Sequence, residues 1–244
     1  LFSPILAYTT IVYTESLFML LTLLGYYLYK KDKYLLSAIV VGLSMLTRNS
    51  GIILWGSIGL DMLYRLFKKK DITFKDILIF VTISFGIGMI YPIYLYIKTG
   101  SFLTFAKVQE TYWMREKGYI VDGIIKDIKV LKRDRSYGNI IIFIENWASF
   151  FIAFILGIKI FKKDKVSSIY IIVSLLAFQA TYRNINYWVS LASISLFRYV
   201  LNLFPIYLYA FDKKSNDQKL LITLLTVLVS VYNTVVFYLG GFIG

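Results

Sequence analysis

The sequence predicts an all-α fold, a polytopic transmembrane bundle of about eight membrane helices, with amphipathic interfacial helices in one long external loop. Three observations predict it. Hydrophobic residues make up 58% of the chain and charged residues only 17%, whereas a soluble domain carries about 25% charged residues. The mean hydropathy is +0.68. The apolar residues also fall in runs approaching ~20 in length, separated by lysine-rich turns, which is the pattern of helices that cross hydrocarbon. Several such runs exclude a signal peptide as the reading of the start. The chain reads as one domain, 1–244, without internal repeat or linker. Leu1 is not a methionine, and more sequence is expected upstream of it.

The first helix is expected over Ile11 to Tyr29, ending at the turn Lys30-Lys31-Asp32-Lys33. The second, Tyr34 to Thr47, is short, about 21 Å at the α-helical rise. Its end therefore lies below the interface, lining a wet cavity or buried in protein. That end is Arg48-Asn49-Ser50-Gly51. A third helix runs from Gly51 to Phe67 and stops at Lys68-Lys69-Lys70-Asp71; a fourth covers Asp76 to Ile97, with a kink expected at Pro92. The segment 101–137 is polar. Phe102, Phe105, Val108, Tyr112 and Trp113 share one side at helical spacing, and Ile120, Ile124, Ile128 and Leu131 share another over Tyr119 to Arg135. Both read as amphipathic helices in the interface, the second with Lys126, Lys129, Lys132 and Arg133 towards lipid phosphate. The remaining helices are expected over Asn139 to Phe161, Val166 to Tyr182, Ser193 to Phe211 and Lys219 to Leu239, with Arg198 and Pro205 inside the seventh.

The formal net charge is +13, from 27 Lys and Arg against 14 Asp and Glu. Nucleic-acid binding is one reading of such a balance, but lysines collecting in cytoplasmic loops explain it better. Lys30–Lys33, Lys68–Lys75, Lys162–Lys165 and Lys213–Lys219 then mark the cytoplasmic side. Glu15, Arg48, the 101–137 segment, the Asn184–Trp188 loop and Arg198 gather at the opposite face. The chain has no His and no Cys. That removes imidazole bases, His-dependent nucleophile systems and zinc sites built on these residues, and leaves carboxylates, Lys or Tyr for acid–base work.

The chemistry-bearing candidates are ionised groups at bilayer depth, which face a cavity or one another because each costs about 2.5–3.5 kcal/mol in hydrocarbon. Glu15 stands in a first helical turn, where the dipole favours a carboxylate. Its bland role is capping; its functional role is accepting a hydrogen bond from a polar substrate. Arg48 could merely snorkel to the interface. With Asn49 and Ser50 beside it, and Gly51 allowing close backbone approach, the group suits a phosphate or a sugar. Arg198, several residues into an apolar run, needs an anion or a carboxylate, with Glu145 one option. Gln109 and Trp113 fit either a substrate surface or interfacial anchoring. Asp61 reads as structural.

Taken together these stretches resemble a known family. Pro4, Tyr13-Thr14-Glu15-Ser16-Leu17-Phe18 and Thr47-Arg48-Asn49-Ser50-Gly51 are similar to the PIG-V type of membrane mannosyltransferase, which includes GPI mannosyltransferase II and prokaryotic relatives with the GT-C fold. Gly100-Ser101-Phe102 through Gln109 and Trp113 resembles the family's external segment. Ser195-Leu196-Phe197-Arg198-Tyr199 through Leu203-Phe204-Pro205 resembles its late helix. The resemblance implies an inverting glycosyltransferase, mannosyltransferase-like, that uses a polyprenyl- or dolichyl-phosphate sugar and a glycolipid, glycan or protein acceptor on the non-cytoplasmic side. It implies donor or substrate contacts from Glu15, Ser16, Arg48, Asn49, Ser50, Gln109, Trp113, Arg198 and Tyr199, and a catalytic Asp upstream of Leu1. Asn49-Ser50 reverses the family's usual Ser-Asn order. Nothing here requires a metal or another cofactor. Membrane lipids are the expected surroundings: a plasma membrane in a prokaryote, or the endoplasmic reticulum in a eukaryote. The competing expectation is a transporter or flippase for a lipid-linked sugar or other amphiphile, although no paired halves are visible.

Overall fold

A computed structural model describes residues 14–112, 114–119, 121–183, 191–193, 195–210 and 214–220, with single positions between 223 and 235. The chain is mostly helical. Helix α1 (Glu15–Lys30) and α2 (Tyr34–Thr47) form a hairpin, followed by α3 (Gly51–Tyr64), α4 (Phe74–Gly88) and α5 (Ile90–Thr99). Then come α6 (Thr104–Tyr112), strand β1 (Arg115–Lys117), α7 (Asp122–Arg133), α8 (Tyr137–Ile160), α9 (Lys165–Gln179), strand β2 (Thr181–Arg183), α10 (Leu196–Leu201) and α11 (Pro205–Tyr209).

Helix α2 packs against α1 and α4, and α9 packs against α3 and α8. Tyr29, Val41, Leu54, Ile58, Phe80 and Tyr170 fill the shared core. Small residues let these helices approach. A Cβ on Gly25 would meet the Val41 side chain at 2.7 Å, and Ser37 Oγ donates to the Gly25 carbonyl at 2.8 Å. Ser168 Oγ does the same to Gly157 between α9 and α8 at 2.7 Å. Small residues and hydroxyls at helix contacts are how apolar helices associate when burial of oily surface provides little preference.

Among the described residues two helical stretches are long and apolar enough to cross a membrane, Phe74–Thr99 and Tyr137–Ile160; Tyr34–Thr47 and Lys165–Gln179 are apolar but shorter. Within the first, the helix breaks at Met89. Pro92 has no N–H to offer the Gly88 carbonyl four residues back, so the break falls there.

The end of the bundle that carries the basic turns is held by acidic side chains, one of them buried. Asp164, 3% exposed, accepts from Lys30 Nζ at 2.9 Å, from Tyr26 at 2.6 Å and from Tyr209 at 3.0 Å. Arg65 bridges to Asp32 at 3.0 Å and to Asp71 at 3.2 Å. Tyr29 donates to Asp61 at 2.6 Å, which gives Asp61 its structural role. The turns 30–33, 65–71 and 162–165 thus lie together, as their shared lysine content predicts.

Two expectations are corrected. The run from Ser193 to Phe211 is not one helix but the short pair α10 and α11, broken before Pro205. The Leu201 carbonyl, which a residue other than proline at 205 would have bonded, instead accepts from Tyr207 at 2.8 Å. The sixth expected helix stops at Gln179, and residues 181–183 pair antiparallel with 115–117 in a two-stranded clasp, a β element absent from the all-α expectation. On α7 the buried stripe is Gly123, Asp127 and Val130, while Ile128 is 42% exposed. Gly123 permits close approach to α9, since a Cβ there would meet Gln179 Oε1 at 2.5 Å, and the helix rolls to bury that face. Phe102, Phe105, Val108 and Tyr112 are all exposed, the state in which an apolar side would meet lipid. The Asn184–Trp188 loop, Trp113, residues 1–13 and most of the expected last helix lie outside the described residues.

The α2–α3 turn gives one stability prediction. A Cβ on Gly51 would lie 2.7 Å from the Met45 nitrogen and 2.8 Å from the Ser44 carbonyl carbon. Backbone cannot yield as a side-chain tip can. Gly51→Ala is expected to destabilise the protein by about 1–3 kcal/mol through overpacking, read as a lower midpoint in thermal unfolding of the detergent-solubilised chain.

Candidate functional site

Helix α1 carries Glu15 at one end and Lys30 at the other. The rise per residue puts them about 22 Å apart, so Glu15 lies at the opposite end of the bundle from the basic turns. Glu15 is wholly buried. It makes no capping arrangement, because the helix N-cap is Thr14 with no side-chain cap bond. Its Oε1 instead accepts from Arg48 Nη1 at 2.5 Å and from Arg198 Nε at 2.7 Å. Residues 33 and 183 positions away in sequence converge on one carboxylate oxygen.

Local structure places each partner. Arg48 follows the last turn of α2 in extended backbone (φ −151°, ψ 138°), so its side chain leaves the helix axis towards α1. Arg198 rides on α10, which opens at Ser195 in the left-handed region (φ 73°). Asn146 of α8 fixes that opening: its Nδ2 donates to the Ser193 carbonyl at 3.0 Å and its Oδ1 accepts from Phe197 N–H at 2.8 Å. Asp127 of α7 holds the same segment from the other side. Its carboxylate accepts from Ala192 N–H at 2.6 Å, Ser193 N–H at 3.1 Å and Trp147 Nε1 at 2.9 Å. Burial pushes the Asp127 carboxyl above its ordinary range, although these donors pull the other way.

Tyr199 forms the centre of the site. The guanidinium carbons of Arg48, Arg115 and Arg198 lie 5.4, 5.6 and 6.0 Å from its ring centroid, a cation–π arrangement with three donors. Its hydroxyl accepts from Arg115 Nη2 at 3.1 Å. Beside it is a small open cleft lined by Arg48, Ser50, Tyr170, Tyr199 and Asn202 over Phe18. Several buried acceptors here have no partner among the described residues: Glu15 Oε2, the Tyr170 hydroxyl and Asn202 Oδ1. Unpaired buried polar atoms are costly, and they leave the site able to accept hydroxyl donors while its arginines address an anion.

Of the residues expected at the site, Glu15, Arg48, Ser50, Arg198 and Tyr199 come together. Asn49 and Ser16 are exposed, so Ser50 is the member of the reversed pair that faces the cavity. Gln109 is half-buried on α6. Arg115, Asp127, Asn146, Tyr170 and Asn202 were not anticipated. Asn146 alone left a sequence signal, as a buried amide in the apolar run next to Glu145. Among the described residues no group of three or more acidic, His or Cys side chains is arranged to hold a metal ion.

No family model, curated protein or solved structure matches the chain.

Proposed function

We propose that this chain is a multi-pass membrane glycosyltransferase of the GT-C type, of about eight membrane helices, that takes a sugar from a polyprenyl- or dolichyl-phosphate donor at its non-cytoplasmic face. The observation that carries the reading is the convergence of Glu15, Arg48 and Arg198 at the end of an apolar bundle remote from the lysine turns. Lysine-rich turns belong in the cytoplasm, which turns the arginine end outward.

The geometry suits the chemistry. Arg48 and Arg198 receive the donor phosphate and stabilise the charge that grows on it as the glycosidic bond breaks. Glu15 Oε2, Asn202 Oδ1 and the Tyr170 hydroxyl lie buried beside the arginines and would accept from sugar hydroxyls once the cleft widens to admit the donor. Glu15 Oε1 is already occupied by two guanidinium donors, so Glu15 orients rather than removes the acceptor proton. A further carboxylate, opposite the leaving phosphate, deprotonates the acceptor hydroxyl in a direct displacement with inversion.

The test is transfer of mannose from a polyprenyl-phosphate donor by the protein in proteoliposomes. Arg48→Ala and Glu15→Gln are each expected to lower transfer about 100-fold or more, at normal membrane levels of protein. Wild-type rates in both would remove the site assignment. Movement of intact donor between leaflets, with no bond cleavage, would establish a carrier instead.

A further inference from the structure

Arg115 lies in the external segment, within the charged run Arg115-Glu116-Lys117, and has no part in the reading above. Three observations single it out. It is brought to the site by pairing, β1 on β2, with residues 115–117 opposite 181–183. Its hydrogen-bond partners among the described residues are both neutral hydroxyls, Tyr199 at 3.1 Å and Thr181 at 3.4 Å. Its guanidinium shares the Tyr199 ring with those of Arg48 and Arg198. Three guanidinium groups within about 6 Å of one ring share a single carboxylate, Glu15, which bonds Arg48 and Arg198 but not Arg115, so net positive charge remains in the cluster. Such a cluster is stabilised when an anion completes it.

The clasp that delivers Arg115 is small. Two three-residue strands do not hold by themselves. Tyr182 provides the support: it lies against Gly118, where a Cβ would fall 2.0 Å from its ring, and Lys126 Nζ sits 3.5 Å from the ring centroid on another side. Lys126 also reaches Glu116 at 3.4 Å. The Gly118 N–H extends the pairing to the Ala180 carbonyl at 3.1 Å.

We propose that Arg115 is a third anion-binding residue, and that a phosphate ester held jointly by Arg48, Arg115 and Arg198 fastens the external segment over the cavity through the β1–β2 clasp. The proposal rests on the phosphate-bearing donor of the reaction above and adds the residue and the strand pairing that capture it. A ligand that contacts Arg115 only when the clasp is formed stabilises the clasp by its differential affinity for that state. Gly118→Ala opens the clasp without altering any of the three arginines, and so separates geometry from charge.

The test is ligand binding and amide hydrogen exchange with the protein in neutral phosphatidylcholine nanodiscs. The probes are a polyprenyl phosphate, inorganic phosphate and, in separate discs, phosphatidylglycerol. Polyprenyl phosphate is expected to slow exchange at 115–118 and 180–183. Arg115→Ala is expected to weaken its binding about 10- to 100-fold, Arg115→Lys less, and Gly118→Ala by a similar factor to Arg115→Ala. Inorganic phosphate giving the same protection at higher concentration assigns the site to the phosphate group itself. Equal protection by phosphatidylglycerol overturns the site in favour of general lipid charge, as does unchanged affinity in Arg115→Ala. If Arg115-dependent binding is present but no sugar is transferred, the capture site stands and the transferase reading fails. If Arg115→Ala transfers sugar and binds donor as the wild type does, the transferase stands and the capture site fails.

Discussion

Glu15→Ala is expected to lower the stability of the protein by about 3–5 kcal/mol, the range for removing one partner of a buried ion pair. Glu15 is fully buried, and Arg48 and Arg198 are 19% and 16% exposed at the side chain. Taking away the carboxylate leaves guanidinium groups in an apolar wall with their nearest counter-charge gone. The remaining cost is theirs, so it should shrink when one of them is removed too. The double variant Glu15→Leu/Arg48→Met is therefore expected to recover part of the loss, since a buried pair replaced by apolar side chains is often neutral but Arg198 still loses the Glu15 carboxylate. A double-mutant cycle on denaturant unfolding in bicelles reads the coupling directly, about 0.5–3 kcal/mol for residues in contact. The double variant should still fail to transfer sugar. Stability and transfer would then part, as expected if the pair serves the proposed chemistry rather than folding. A Glu15→Ala protein as stable as the wild type would mean that water reaches the arginines freely and that the site is no buried cluster at all.

The parts of this arrangement that were legible in the sequence share a cause. The hairpin of α1 and α2 could be read because lysines interrupt the apolar run at 30–33 and Arg48 ends it, and α2 runs over the expected residues, Tyr34–Thr47. Glu15, Arg48 and Arg198 stood out because a charge in an apolar run is expensive wherever it points. Their shared partner was not legible. Arg198 was given Glu145 as one option, whereas the structure sets it on Glu15 from the far end of the chain. The break at Pro205 was missed because the apolar pattern continues through it, although proline's missing N–H could have marked it. Arg115 was hidden for the opposite reason. In a charged run nothing distinguishes one cation from its neighbours, and a three-residue strand has no period to detect. On α7 packing against the protein chose the face with Gly123 and Asp127, and Ile128 is left on the exposed side.

Asp127 is the residue through which that choice reaches the site. It touches neither cavity nor arginines, but it fixes the Ala192–Ser193 backbone from which α10, and so Arg198, departs. Asp127→Asn keeps one oxygen for those two N–H groups and turns an amide donor towards the Trp147 indole N–H. The expected cost is about 1–3 kcal/mol, that of leaving a buried donor unsatisfied. The pH dependence has a definite sign. Burial raises the folded-state pKa of Asp127 above its ordinary value of 3.8, so between those two values the folded chain holds the proton that the unfolded chain has released. Stability from this group is fully present below 3.8 and is lost as pH rises through the folded value. The gap between wild type and Asp127→Asn should therefore widen as pH is lowered from neutrality towards that limit, because the asparagine cannot titrate. In transfer assays the variant should lose turnover while Arg115-dependent phosphate binding is reduced less, since Arg48 and Arg115 are anchored elsewhere. A variant that unfolds no more readily and transfers sugar at the wild-type rate would mean that α10 holds Arg198 in place without Asp127.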